Sequence, residues 1–203
     1  MNLKGKTVLF LGSSVTYGSK SGGISFADIM AEGCGINCIK EAVSGTTLAD
    51  INADSYVSRL KRVDPSIHLD LFICQLSTND ANPKRNVDFT DVEKAIRFIL
   101  DYVKTTFGCP IVFYTGTYFK NERYVEMIEY LYRLQKEYDF HILDLYNDTE
   151  MQAISEEKYS LYMHDPIHPT RIGYSQWWTP KFIKFCEELQ LSKRLAARRA
   201  FCN

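Results

Sequence analysis

Apolar residues in this chain come in short runs, each closed by small or hydroxyl residues. Val8-Leu9-Phe10-Leu11 stops at Gly12, and Ser13-Ser14-Val15-Thr16-Tyr17-Gly18 follows. A run of that length predicts a buried strand whose next residues project beyond the sheet edge. Ile36 to Val43 alternates enough for a second strand and ends in Ser44-Gly45-Thr46-Thr47. Asp70-Leu71-Phe72-Ile73-Cys74-Gln75-Leu76 predicts a third, followed by Ser77-Thr78-Asn79-Asp80. Ile111 to Tyr114 and His141 to Leu145 predict the fourth and fifth.

Between these runs the apolar period lengthens to that of a helix. Ser25 caps a short helix, Phe26 to Ala31, stopped by Gly33 and Gly35. A polar helix is expected from about Ala53 to Val63, closed by Asp64-Pro65. Thr90-Asp91-Val92-Glu93 reads as a capping box, opening a helix with Val92, Ile96, Ile99, Leu100 and Val103 on one face. Glu122 to Tyr138 is a further amphipathic helix, and Asn147 to about Tyr162 is irregular and polar. Arg171 to about Leu189 predicts a last helix, bent near Pro180.

Strands that alternate with helices, without repeat or linker, predict one α/β domain over residues 1–203. The expected architecture is three-layered, α/β/α, around a five-stranded parallel sheet. Right-handed crossovers favour the flavodoxin-like order 2-1-3-4-5. That order sets the loops after strands one, two and three side by side at the switch point. Those loops carry Ser14, Gly45 and Asn79.

Composition narrows the class. The chain has 203 residues, 45% hydrophobic and 24% charged, as expected of a soluble globular domain. A net charge of −1 gives no general reason to bind nucleic acid or an anionic membrane. No apolar run approaches the roughly 20 residues of a membrane span. Met1-Asn2-Leu3-Lys4-Gly5-Lys6 has the basic start of a signal peptide, but its apolar segment is only a strand long. A cytoplasmic location is therefore expected. The six cysteines, Cys34, Cys38, Cys74, Cys109, Cys186 and Cys202, lack the spacing of a zinc set and read as reduced thiols. The tail, Ser192 to Asn203, holds Lys193, Arg194, Arg198 and Arg199 without an acidic residue, which suits a solvated helical end.

The Gly12–Gly18 loop has rival readings. A phosphate-binding P-loop needs four residues between its glycines, with Lys directly after the second. Here five intervene, and Ser19 precedes Lys20. A Gly-x-Ser-x-Gly elbow also fails, because Gly12-Ser13-Ser14-Val15-Thr16 ends in threonine. Taken alone, the loop is equally a set of turn residues. A nucleophilic serine needs a base, usually a histidine oriented by a carboxylate. His164-Asp165-Pro166-Ile167-His168 echoes the zinc motif His-Glu-x-x-His, but Pro166 and Pro169 oppose the helix that motif requires. As a loop, the segment lets Asp165 hold one imidazole nitrogen of His168 while the other faces Ser14; taken alone, it is equally a surface loop with a chance Asp and His.

Together the stretches resemble the SGNH branch of the GDSL esterases and lipases. Gly12-Ser13-Ser14-Val15-Thr16-Tyr17-Gly18 resembles that family's Gly-Asp-Ser-x-Thr-x-Gly block, and Val43-Ser44-Gly45-Thr46-Thr47 its second block. Ser77-Thr78-Asn79-Asp80 resembles Gly-x-Asn-Asp, and Asp165-Pro166-Ile167-His168-Pro169 matches Asp-x-x-His-Pro, extended by Thr170 and Gly173-Tyr174. The resemblance implies a serine esterase without metal or cofactor, with Ser14 as nucleophile, His168 as general base then acid, and Asp165 orienting it. It implies an oxyanion site made by the Ser14 and Gly45 backbone N–H groups and the Asn79 amide. Ser13 departs from the family's Asp and Ser77 from its Gly, which puts the bracing of the loop and the placement of Asn79 at issue.

The implied substrate is a small-molecule or carbohydrate ester with a short acyl group, O-acetyl by extension from the family. Tyr17, Tyr118 and Phe119 are candidate pocket aromatics, while Trp177 and Trp178 suit helix packing. The alternatives are a lipase, lysophospholipase or thioesterase of the same family, or a domain that binds a carbohydrate or metabolite without turnover.

Overall fold

The computed structural model describes residues 3–189. Its five strands are β1 (Thr7–Gly12), β2 (Asn37–Ala42), β3 (Leu71–Gln75), β4 (Ile111–Tyr114) and β5 (His141–Leu143). All neighbours pair in parallel, in the expected order β2-β1-β3-β4-β5. Gly12 pairs with Ala42, and Leu11 with Cys74, so the first three strands finish nearly level. The loops that leave them start as neighbours.

Period-two alternation sorts the strand side chains to two cores. Leu9, Leu11, Phe72, Cys74 and Phe113 face one side, covered by α3 (Tyr56–Leu60), α4 (Phe89–Thr106) and α5 (Glu122–Leu134). Val8, Phe10, Ile73, Val112 and Tyr114 face the other, covered by α2 (Phe26–Cys34) and the last helical stretch. Burial on both faces explains why the strands read as nearly unbroken apolar runs. A single helical turn, α1 (Ser14–Tyr17), follows β1 directly.

Several element ends differ from the sequence expectation, each for a local reason. Asp88, not Thr90, caps α4: its carboxylate accepts the Thr90 N–H at 2.8 Å, so Thr90 lies inside the first turn. Gly33 is accommodated within α2, and Gly35 ends that helix. The stretch expected to be irregular holds two short helices, α6 (Thr149–Gln152) and α7 (Glu156–Tyr162), capped by Asp148 and Ser155. The last helix opens as α8 (Arg171–Gly173) and widens to a π-turn, Tyr174–Trp178, before residues 179–189 continue as α-helix. The Thr179 N–H reaches back to the Tyr174 carbonyl, a spacing that makes room for the Pro180 ring.

Among the described residues no helix is long and apolar enough to cross a membrane. Cys34, Cys38, Cys74, Cys109 and Cys186 are free thiols. The basic tail and Cys202 lie outside the described residues.

Candidate active site

The turn after β1 is built around a residue with no side chain. A Cβ on Gly12 would stand 1.7 Å from Thr16 Oγ1 and 2.9 Å from Gln75 Oε1. Gln75 ends β3 and turns its buried amide oxygen under this turn, accepting from the Ser13 N–H and the Thr16 hydroxyl, both at 2.9 Å. Thr16 spends its only hydroxyl proton there, so at 2.7 Å the Tyr114 hydroxyl donates to it. The Tyr174 hydroxyl donates to the Val15 carbonyl at 2.6 Å. α1 is thus pinned by β3, β4 and the π-turn, and Ser14 stands at its first position.

Asp165 and His168 lie on a loop, not a helix. An antiparallel bridge between Met163 and Pro169 closes it, and the His164 N–H donates to the His168 carbonyl at 2.8 Å. Asp165 accepts the backbone N–H groups of Ile167 and His168, both at 2.9 Å. Its two oxygens lie 2.9 and 2.8 Å from His168 Nδ1. His168 Nε2 is 2.8 Å from Ser14 Oγ. An ionised carboxylate only accepts, which assigns the proton to Nδ1 and leaves Nε2 to accept from the serine hydroxyl. Burial alone would raise the Asp165 carboxyl; the N–H of Ile167 and the His168 ring and N–H outweigh it and hold the group below its ordinary range.

These residues open onto a cleft of about 430 Å³, lined among others by Ser14, Gly45, Asn79, Phe119, Ile167 and His168. The Asn79 amide donates one hydrogen to the Thr46 carbonyl at 2.8 Å and keeps a second for the cleft. The Asn79 N–H donates to Ser77 Oγ at 3.2 Å, so the Ser77 hydroxyl braces Asn79 from behind. Asp80 is fully buried and accepts from the Leu48 and Ala49 N–H groups, each at 2.8 Å. Burial pushes its carboxyl up, against the lowering effect of Ser77 and those N–H groups. The Ser13 hydroxyl is also buried, directed at Gln75.

Two expected pocket aromatics lie elsewhere. Tyr17 ends α1 and turns outward, with the Lys40 ammonium 5.5 Å from its ring centre. Tyr118 lines a separate hollow of about 300 Å³ with Met151, Tyr159 and Trp177. Adjacent in sequence, Phe119 lines the cleft and Tyr118 the separate hollow. Trp178 is fully buried and stacks near Phe26. Sequence reasoning missed Gln75, Tyr114 and Tyr174 as supports of the serine turn. The available signal was Gln75, a lone amide in an apolar strand, since a buried polar group needs partners. No group of three or more His, Cys, Asp or Glu suited to a metal ion occurs among the described residues.

Strand order and the cleft at the carboxyl rim are those of the three-layer α/β/α SGNH fold. The chain belongs to the GDSL-like lipase/acylhydrolase family, whose model matches residues 10–176. Its members hydrolyse esters. Among solved structures, a Lactobacillus plantarum protein is similar, with TM-score 0.77 and 18% identity, covering 91% of this chain and 98% of that one. A carbohydrate acetylesterase family member from Sinorhizobium meliloti is similar over 68% of this chain and 82% of its own, with TM-score 0.56 and 20% identity. The aryl esterase of M. smegmatis has TM-score 0.67 and 16% identity, covering 91% and 98%. At these identities the likeness is one of fold. No curated protein matches the chain.

Proposed function

We propose that the protein is a serine esterase that removes short acyl groups, O-acetyl foremost, from small-molecule or carbohydrate esters. The observation that carries the reading is the line Ser14 Oγ, His168 and Asp165, with contacts of 2.8 to 2.9 Å, beside the cleft shared by Gly45 and Asn79. Ser14 Oγ attacks the acyl carbonyl as its proton passes to His168 Nε2, and Asp165 stabilises the imidazolium. The oxyanion lies among the Ser14 and Gly45 N–H groups and the free hydrogen of the Asn79 amide. The tetrahedral intermediate collapses, the alcohol leaves with the His168 proton, and an acyl-enzyme on Ser14 remains. Water, deprotonated by His168, repeats the sequence and releases the acid. A carbohydrate alcohol is supported by the fold shared with a carbohydrate acetylesterase family member.

Hydrolysis of p-nitrophenyl esters from C2 to C12 tests the reading, with and without chelator, alongside Ser14→Ala. The expected result is turnover insensitive to chelator, and a loss of at least about a thousandfold in kcat for Ser14→Ala. Equal rates in the two proteins would overturn the serine mechanism. Chelator inhibition would point to a metal, and absent turnover on every ester to a binding domain.

A further inference from the structure

Arg59, on α3, is 2% exposed, yet every hydrogen bond of its guanidinium ends on a neutral oxygen. Nε donates to the Asp54 carbonyl at 3.0 Å, and Nη1 donates to the Glu41 carbonyl. Nη2 donates to the Gly12 carbonyl at 2.7 Å and to Thr46 Oγ1 at 3.2 Å. Burial opposes the charge, the Tyr56 and Glu41 side chains favour it through space, and no ion pair involves Arg59 among the described residues. A buried arginine is ordinarily matched by a carboxylate, because an unmatched buried charge opposes folding. Here the charge is met instead by four neutral acceptors and by the Tyr56 ring, whose centre is 5.2 Å from Cζ, an arrangement that leaves it without a carboxylate partner.

Among these acceptors, Gly12 lies two residues before Ser14, Glu41 lies near the end of β2, and Thr46 directly follows Gly45. Thr46 is held from its other side as well, where its carbonyl accepts from Asn79 Nδ2 at 2.8 Å. One guanidinium therefore ties directly the two segments that present the Ser14 and Gly45 N–H groups, and through Thr46 it is linked to the Asn79 amide. A planar fork with five donors spans several carbonyls at fixed angles, which an ammonium does not. Its charge lies behind the loops that follow β1 and β2, in surroundings that screen it poorly.

We propose that Arg59 is a positioning residue for the oxyanion donors, fixing their mutual spacing and favouring the oxyanion through its unneutralised charge. This rests on the serine-esterase reading above.

Arg59→Met and Arg59→Lys test it, with p-nitrophenyl acetate as substrate and a fluorophosphonate that labels Ser14 to count functional sites. Per labelled site, Arg59→Met is expected to lose tenfold or more in kcat while KM stays within twofold. Its affinity for a short alkyl boronic acid, which forms a tetrahedral adduct on Ser14, is expected to weaken by the same factor. Arg59→Lys, which keeps the charge but not the fork, should fall between Met and wild type on both measures. A purely structural role would give fewer labelled sites, each with wild-type kcat, and would overturn the assignment. Equal losses in Lys and Met would remove the role of the charge. Should Arg59→Met fail to fold, wild-type boronate affinity in Arg59→Lys would overturn the proposal by itself. Failure of the underlying reading is distinguishable: wild type and Ser14→Ala would then hydrolyse the ester equally, or neither would.

Discussion

Asp165 gathers four contacts, from two backbone N–H groups and from His168 Nδ1 to each of its oxygens. The fold thereby favours the ionised carboxyl and holds it below its ordinary value of 3.8. A carboxyl depressed in the folded state contributes stability above the unfolded value, and that contribution is lost as pH falls through the folded one. Between pH 5 and 2, wild type should therefore lose stability more steeply than Asp165→Asn, as read from urea midpoints at each pH. Parallel curves would mean that the fold gives Asp165 no preference for its ionised form. At Asn79 the expectation is kinetic: Asn79→Ala should cut kcat by about a hundredfold or more and leave KM nearly unchanged in steady-state assays. The candidate residues Ser14, Asp165 and His168 were legible only when the separate stretches were read together, because each loop alone is equally a set of turn residues. Gln75 and Arg59 were not, because burial of a polar side chain depends on contacts across elements far apart in sequence. Tyr17 and Tyr118 misled for the same reason: an aromatic near a motif carries no information about its direction.

Among the elements, α8 and the π-turn couple the histidine loop to the serine turn. A Cβ on Gly173 would stand 2.0 Å from the Tyr162 carbonyl oxygen, a backbone atom that cannot swing aside. Gly173→Ala should cost about 1–3 kcal/mol, seen as a lower thermal midpoint. Activity should fall with it, since Tyr162 leads into the Asp165 loop. Tyr174→Phe removes the bond to the Val15 carbonyl and should cost about 1 kcal/mol by the same measurement, with its ring packing kept. Strand positions were readable from apolar runs, whereas helix ends turned on which of several polar residues captured the first free N–H. At α4 the carboxylate of Asp88 did so before Thr90, a competition between side chains that periodicity does not register.

For the whole molecule, the order β2-β1-β3-β4-β5 is what assembles the cleft. Three consecutive loops meet where the chain changes direction, and the fourth contribution comes from the far end of the sequence. This arrangement was legible because the strand–helix alternation leaves few chain paths. The shape of the cleft was not, because it depends on which way Phe119 and its neighbours face. Asn79, Asn82 and Asn121 share the lining of this cleft of about 430 Å³ with Pro83, Phe119 and Ile167, and the short-acyl esterase reading expects only a small acyl group there. kcat/KM on p-nitrophenyl esters should thus be at least tenfold higher at C2–C4 than at C8–C12. A rising profile with chain length would favour a lipase.

The Met163–Pro169 bridge encloses both Asp165 and His168 within one short loop. On the serine-esterase reading, base and orienting carboxylate are therefore one removable part, and a local opening that breaks the bridge takes away both together while the sheet stays intact. Thermal loss of activity should accordingly run ahead of global melting and follow a single exponential. Deuterium uptake at the His164 and Thr170 amides should proceed at the same rate as that loss.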